Sequence, residues 1–193
     1  MAPSAHLANL GASLVVAKSG TACLAPGELL AQHRGKKQAL PLSKAVEQAS
    51  KWRQQGLKIG FTNGCFDLLH PGHIHILTQA AGGCDKLIVA VNADSSVKRL
   101  KGEERPVQPQ EVRSAILANL PFVDAVILFE EDTPKEVIEA LSPDFLAKGG
   151  DYQIQDIVGA DFVMAKGGEV RAIALLEGHS TSRFLTSSSI QTD

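Results

Sequence analysis

The chain has 193 residues, 44% of them hydrophobic, and 19 Lys and Arg against 21 Asp and Glu give a formal net charge of −2. That length holds one ordinary domain with an appendage, and the charge excludes the general affinity for nucleic acid or anionic membrane that a basic excess brings. Cys23, Cys65 and Cys84 have no paired spacing, no apolar run reaches the length of a membrane span, and the first residues lack a secretory signal, so a cytoplasmic protein is expected.

Residues 1–38 read apart from the rest. Leu7 to Leu14 has helical character, Leu14 to Ala17 is a short strand, and Lys18 to Thr21 a turn. Gln32 to Gln38 is a polar, basic linker. Such a segment is too short to bury a core of its own, so the folded domain is expected over 39–193. It opens with an amphipathic helix over Pro41 to Gln55, where Leu42, Ala45, Val46, Ala49 and Trp52 recur at helical spacing. Ser43 is a candidate cap, and Gly56 ends the helix.

The most informative stretch runs from Lys58 to Leu77, KIGFTNGCFDLLHPGHIHIL. An apolar strand from Leu57 to Phe61 leads through Thr62 to a turn at Asn63-Gly64, then to a helix with Pro71 in its first turn. Strand, glycine turn and helix start is the layout that aims backbone N–H groups at a phosphate. His70 and His73 share one face of that helix start, and Gly72 between them leaves room for a ligand. A metal site of His70, His73 and Cys65 is the competing chemical reading. Its spacing matches no zinc pattern and no further ligand pair follows, so no metal ligands are assigned.

Lys86 to Val91 is an unbroken apolar run, as in a buried parallel strand. Asn92 to Ser96 reads as a polar turn, and Val97 to Arg105 as a charged loop. Because that loop follows a strand end, Lys98, Arg99 and Lys101 are candidates to neutralise phosphate. A helix from Gln110 to Asn119 carries Arg113, and Ala125 to Phe129 is a strand. Asp132 or Thr133 is placed to cap a helix from Pro134 to Leu141. Asp144 to Ala147 is a strand, and Lys148 to Tyr152, with Gly149 and Asp151, is a glycine-rich turn at the binding edge. A short helix falls within 154–165, and Glu169 to Leu176 is the last strand. Ser180, Thr181 and Ser182 then open a final helix, where hydroxyls cap or bind phosphate; Thr186 to Ile190 is a rival copy. The strand–helix alternation argues an α/β, Rossmann-like parallel sheet of about five strands with helices on both faces. No dinucleotide fingerprint and no P-loop occur.

Gly64 to His73 resembles the G-x-F-D-x-x-H-x-G-H signature of the cytidylyltransferase-like nucleotidyltransferases. Further segments, Ser96 to Gly102, Arg105 to Val107, Phe129 to Pro134, Lys148 to Tyr152 and Gly167 to Val170, resemble the adenylyltransferase domain of the bifunctional heptose 7-phosphate kinase/heptose 1-phosphate adenylyltransferases. Ala12 to Thr21 is similar to the closing strand and turn of a ribokinase-like sugar kinase. The resemblance implies transfer of AMP from ATP to D-glycero-β-D-manno-heptose 1-phosphate, with Mg2+, for lipopolysaccharide core assembly. It implies His70, His73 and Lys101 as catalytic. It also implies nucleotide contacts from Thr62, Asn63, Gly64, Phe66, Gly72, Lys98, Arg99, Arg113, Gly149, Asp151 and the Ser180–Ser182 triplet. Nucleic-acid and membrane partners are not implied, association with a sugar-kinase domain is, and homo-oligomerisation is left open. A sibling transferase using CTP with another acceptor such as glycerol 3-phosphate, a class I aminoacyl-tRNA synthetase fragment and a non-catalytic nucleotide-binding module are the alternatives. The family's regular terminal helix is a poor match to the serine- and threonine-rich stretch Arg183 to Asp193.

Overall fold

The computed structural model describes residues 38–175. The N-terminal segment, the Ser180–Ser182 triplet, its rival and the end of the chain lie outside the described residues. The elements run α1 (Leu42–Gln54), β1 (Ile59–Gly64), α2 (Pro71–Ala81), β2 (Lys86–Asn92), α3 (Asp94–Lys101), α4 (Gln110–Ala118), β3 (Ala125–Phe129), α5 (Lys135–Leu141), β4 (Phe145–Gly149), a 3-10 turn (Ile154–Asp156), α6 (Ala160–Ala165) and β5 (Glu169–Ile173).

The five strands form one sheet in the order β3-β2-β1-β4-β5, every pair parallel. Alternation along the strands sorts the core into two layers. Ile88 and Ala90 of β2 face one side with Ala45 and Ala49 of α1, Ile138 of α5 and Val163 of α6. Leu87, Val89 and Val91 face the other, with Leu77 of α2 and Leu117 of α4. Helices therefore cover both faces, which is why β2 is apolar from Leu87 to Val91. Consecutive strands step outward from β1 to β3, and the chain then crosses back to place β4 on the other side of β1. The crevice at that reversal, above the C-terminal ends of β1 and β4, is where open α/β sheets bind ligands.

Several local readings are corrected. Asn63 and Gly64 continue β1, because their backbone pairs with Ala90 and Val91 of β2. The expected turn and charged loop after β2 are a helix, α3, whose start is held by tertiary contacts: Asp94 N–H donates to Gln110 Oε1 at 2.9 Å and Asp94 Oδ1 receives the Arg113 guanidinium at 2.6 Å. Ser43 makes no cap bond, and Pro41 stands at that N-cap. Neither Asp132 nor Thr133 caps α5, where Pro134 is the N-cap residue. The segment expected as a short helix within 154–165 divides into the 3-10 turn and α6.

Candidate active site

The signature leaves β1 at Gly64 and turns sharply. Phe66 holds a left-handed φ of 47°, a conformation a bulky side chain adopts only when its surroundings impose it. Asp67, 1% exposed, ties the turn down. Its Oδ2 accepts from Arg105 Nε at 2.5 Å, and its Oδ1 accepts from the Val107 and Gln108 N–H groups at 2.7 and 3.2 Å. The turn is thereby bound to the loop that follows α3, and Asp67 is wholly engaged within the protein.

His70 is the N-cap residue of α2, extended at φ −140° and ψ 167°, with Pro71 at the first helical position. The His73 N–H donates to the His70 carbonyl at 2.9 Å. Spacing of three stacks the two imidazoles, with ring centroids 3.8 Å apart and planes 29° from parallel. Phe66 flanks His73 at 5.3 Å between centroids. Burial, then the charges of His70 and Lys101, push the His73 pKa from 6.5 down to about 4, against a smaller opposing influence of the Leu68 backbone. Its Nδ1 is buried with no hydrogen-bond partner among the described residues. A neutral imidazole carries one donor and one acceptor nitrogen, and an incoming phosphate favours the protonated, doubly donating form.

This helix start opens on a cleft of about 510 Å³, within the usual range for small-molecule sites. Thr62, Asn63, Gly64, Cys65 and Phe66 line it from β1 and the turn, His73 and Ile76 from α2, and Asn92 from the end of β2. Leu100 and Lys101 close it from the last turn of α3, and Asp132, Thr133 and Pro134 from the segment before α5. Lys148, Gly149, Tyr152 and Asp156 to Val158 form the wall contributed by β4 and the chain after it. Gly149 is needed for packing: a Cβ there would fall 2.3 Å from Ile76 Cδ1 of α2.

The structure thus gathers Thr62, Asn63, Gly64, Phe66, His73, Lys101 and Gly149 around one cleft, with His70 stacked on His73 and Gly72 buried in the first turn of α2. Lys98 and Asp151 are exposed outside its lining. Arg99 is exposed too, and its guanidinium bonds Asp132 at 2.8 Å and the Glu130 carbonyl. Arg113, expected at a ligand, is 1% exposed and turned inward. It donates to the carbonyls of Gln108, Cys65 and Asn92 and to Asp94. All three of its guanidinium nitrogens are engaged, through four of their five N–H groups, so it braces β2, α3 and the signature turn from within. Asn92 lines the cleft without having been singled out, and Lys148 and Tyr152 line it from the turn expected at the binding edge. A polar residue closing the apolar run of β2 is the signal that marks Asn92.

A family model described as cytidylyltransferase-like matches residues 61–183. The chain belongs to the cytidylyltransferase-like family. The match begins in β1 and takes in every cleft wall described above. Among curated relatives of this family member, the bifunctional protein HldE of Acidiphilium cryptum is 51% identical over 187 residues, which cover 95% of this chain and 38% of that protein. The bifunctional protein HldE of Paramagnetospirillum magneticum is 52% identical over 185 residues, covering 93% of this chain and 38% of that protein. The chain therefore spans well under half the length of the relatives it matches. Among solved structures, a lipopolysaccharide core biosynthesis protein from Thermoplasma volcanium superimposes with a TM-score of 0.51 at 28% identity, over 64% of this chain and 100% of that one.

Proposed function

We propose that the chain transfers AMP from ATP to D-glycero-β-D-manno-heptose 1-phosphate, releasing pyrophosphate and giving the ADP-sugar used in lipopolysaccharide core assembly. The observation that carries the reading is the stacked His70–His73 pair at the N-terminus of α2, with His73 lining a cleft that Lys101 also lines. Both reactants are anions, so the work is alignment and charge neutralisation. A phosphate dianion is already a nucleophile and needs no general base. Its oxygen attacks the α-phosphorus in line, a P–O bond to the acceptor forms, and the bond to the β-phosphate oxygen breaks with its electron pair going to pyrophosphate. His70 and His73 donate to phosphate oxygens as charge builds on the leaving group, and the N–H groups of the α2 N-terminus add to that field. Lys101 balances the same charge. Ser180, Thr181 and Ser182 hold the β- and γ-phosphates, and Thr62, Asn63 and Gly149 lie beside nucleoside or sugar.

Among the described residues, no group of three or more His, Cys, Asp or Glu could hold a metal ion. Mg2+ would arrive on the triphosphate, where it would neutralise phosphate charge with few protein ligands. Residues 1–38 are read as the end of a sugar-kinase domain followed by a linker, a reading in keeping with relatives that are bifunctional and longer than this chain. Among the described residues, no helix is long and apolar enough to cross a membrane.

A panel of nucleoside triphosphates against sugar phosphates, read by pyrophosphate release, tests the reading. ATP with the heptose 1-phosphate should give the highest kcat/KM. Preference for CTP with glycerol 3-phosphate would move the chain to a sibling activity, and no product with any pair would leave only a binding module.

A further inference from the structure

Lys148 ends β4 beside β1, and the register that pairs Phe61 with Leu146 brings it alongside Asn63. Its Nζ donates to Asn63 Oδ1 at 3.0 Å and to the Asn63 carbonyl at 3.3 Å. An ammonium has three donors and no acceptor, so one N–H remains, in a side chain that lines the cleft. Both partners are neutral, and no carboxylate among the described residues forms an ion pair with it. The other cleft groups able to carry positive charge sit on different elements: Lys101 on α3, and His73 on α2 once it is protonated. Two acids line the cleft: Asp132, already bonded to Arg99, and Asp156, which forms no ion pair with Lys148. Burial holds the Lys148 ammonium below the usual lysine range, as expected for a cation enclosed without a counter-charge. A buried charge is retained at a cost unless something compensates it, and here the protein supplies only two amide oxygens.

We propose that Lys148 is the binding residue for the acceptor's phosphate, a monoester dianion that enters the cleft at the end of β4, beside Asn63. The assignment rests on the nucleotidyl-transfer reading, and it divides the cleft. The triphosphate takes the α2 and α3 side, and the second anion takes the β4 side, where Asn63 fixes the ammonium and leaves its third N–H for the ligand. Like-charged substrates are then held apart by separate cations until the acceptor oxygen meets the α-phosphorus between them.

Two measurements decide it. In the first, Lys148→Met, which keeps volume and removes charge, is assayed for ADP-sugar formation with each substrate varied. The KM for the sugar 1-phosphate should rise at least tenfold, while the KM for ATP stays within about twofold. Unchanged KM values, or a rise confined to ATP, would overturn the assignment. The second uses the wild-type chain and needs no turnover. With a non-hydrolysable ATP analogue saturating the nucleotide site, Lys148 is acetylated by an N-hydroxysuccinimide ester and followed by mass spectrometry while inorganic phosphate is added. Phosphate should slow labelling of Lys148 at least threefold, because a bound anion both shields the amine and keeps it protonated. Labelling insensitive to phosphate would refute the site. Should the wild-type chain form no ADP-sugar, the activity reading fails, and the labelling result still decides whether Lys148 binds phosphate.

Discussion

The Asp67–Arg105 pair offers the sharpest test of how the signature turn is held. The Asp67 side chain is 0% exposed and that of Arg105 16%. Replacing Asp67 by Ala leaves a largely buried guanidinium without its partner and strips the acceptor from the Val107 and Gln108 N–H groups. Breaking a buried pair by removing one partner costs about 3–5 kcal/mol, and partial access of water to Arg105 puts this case at the lower end, about 3 kcal/mol. Against a total stability of about 5–15 kcal/mol, the variant should still fold. With a urea dependence of about 2 kcal/mol per M, its unfolding midpoint should fall by about 1.5 M. The loop released by the change begins directly after Lys101, so the KM for ATP should also rise. Arg105→Met and the double variant complete a cycle, and the two sites should couple by at least about 1 kcal/mol. A midpoint shift under about 0.5 M, or additive single effects, would show that the pair does not hold the turn.

Replacing His70 or His73 by Ala should lower kcat by about 10²-fold or more, the scale for losing one preorganised donor, with little change in thermal stability at neutral pH; near-normal turnover in either variant would remove the pair from the chemistry. The depressed His73 pKa, 6.5 to about 4, makes the unfolded chain the better proton binder between those values. His73 therefore contributes stability above about pH 6.5 that is lost as pH falls toward about 4, by at most about 3 kcal/mol and less where water screens the partly exposed ring. Urea midpoints across that window should fall less steeply for His73→Gln than for the parent chain.

Much of this was legible because the informative residues carry local chemistry. The run of β2 is apolar and buried from Leu87 to Val91, and the glycine and histidine spacing of the signature dictates a strand, a turn and a helix start. Where the reading failed, tertiary contacts decided. The segment 94–101, rich in serine and charge, has no strong propensity for a helix, and it forms one because Gln110 and Arg113 meet its first residue. The resemblance implied Arg113 as a ligand contact. Its spacing of four from buried Leu117 places it on the inward stripe of α4, and that periodicity is the signal that could have separated a brace from a binding group. Arg99 and Asp132 lie 33 residues apart, and nothing local in either sequence announces their pairing.

The position of β1 in the sheet has a dynamic consequence. It is hydrogen-bonded on both flanks, by β2 and β4, whereas β3 and β5 form the edges. Edge strands fray at low free energy, and the central ladder opens only with the whole domain. The histidine-bearing turn grows from one of the inner strands, whose amides should exchange later than those of β3 and β5. The cleft's outer walls can thus breathe to admit substrate and release product without dismantling the phosphate-binding floor.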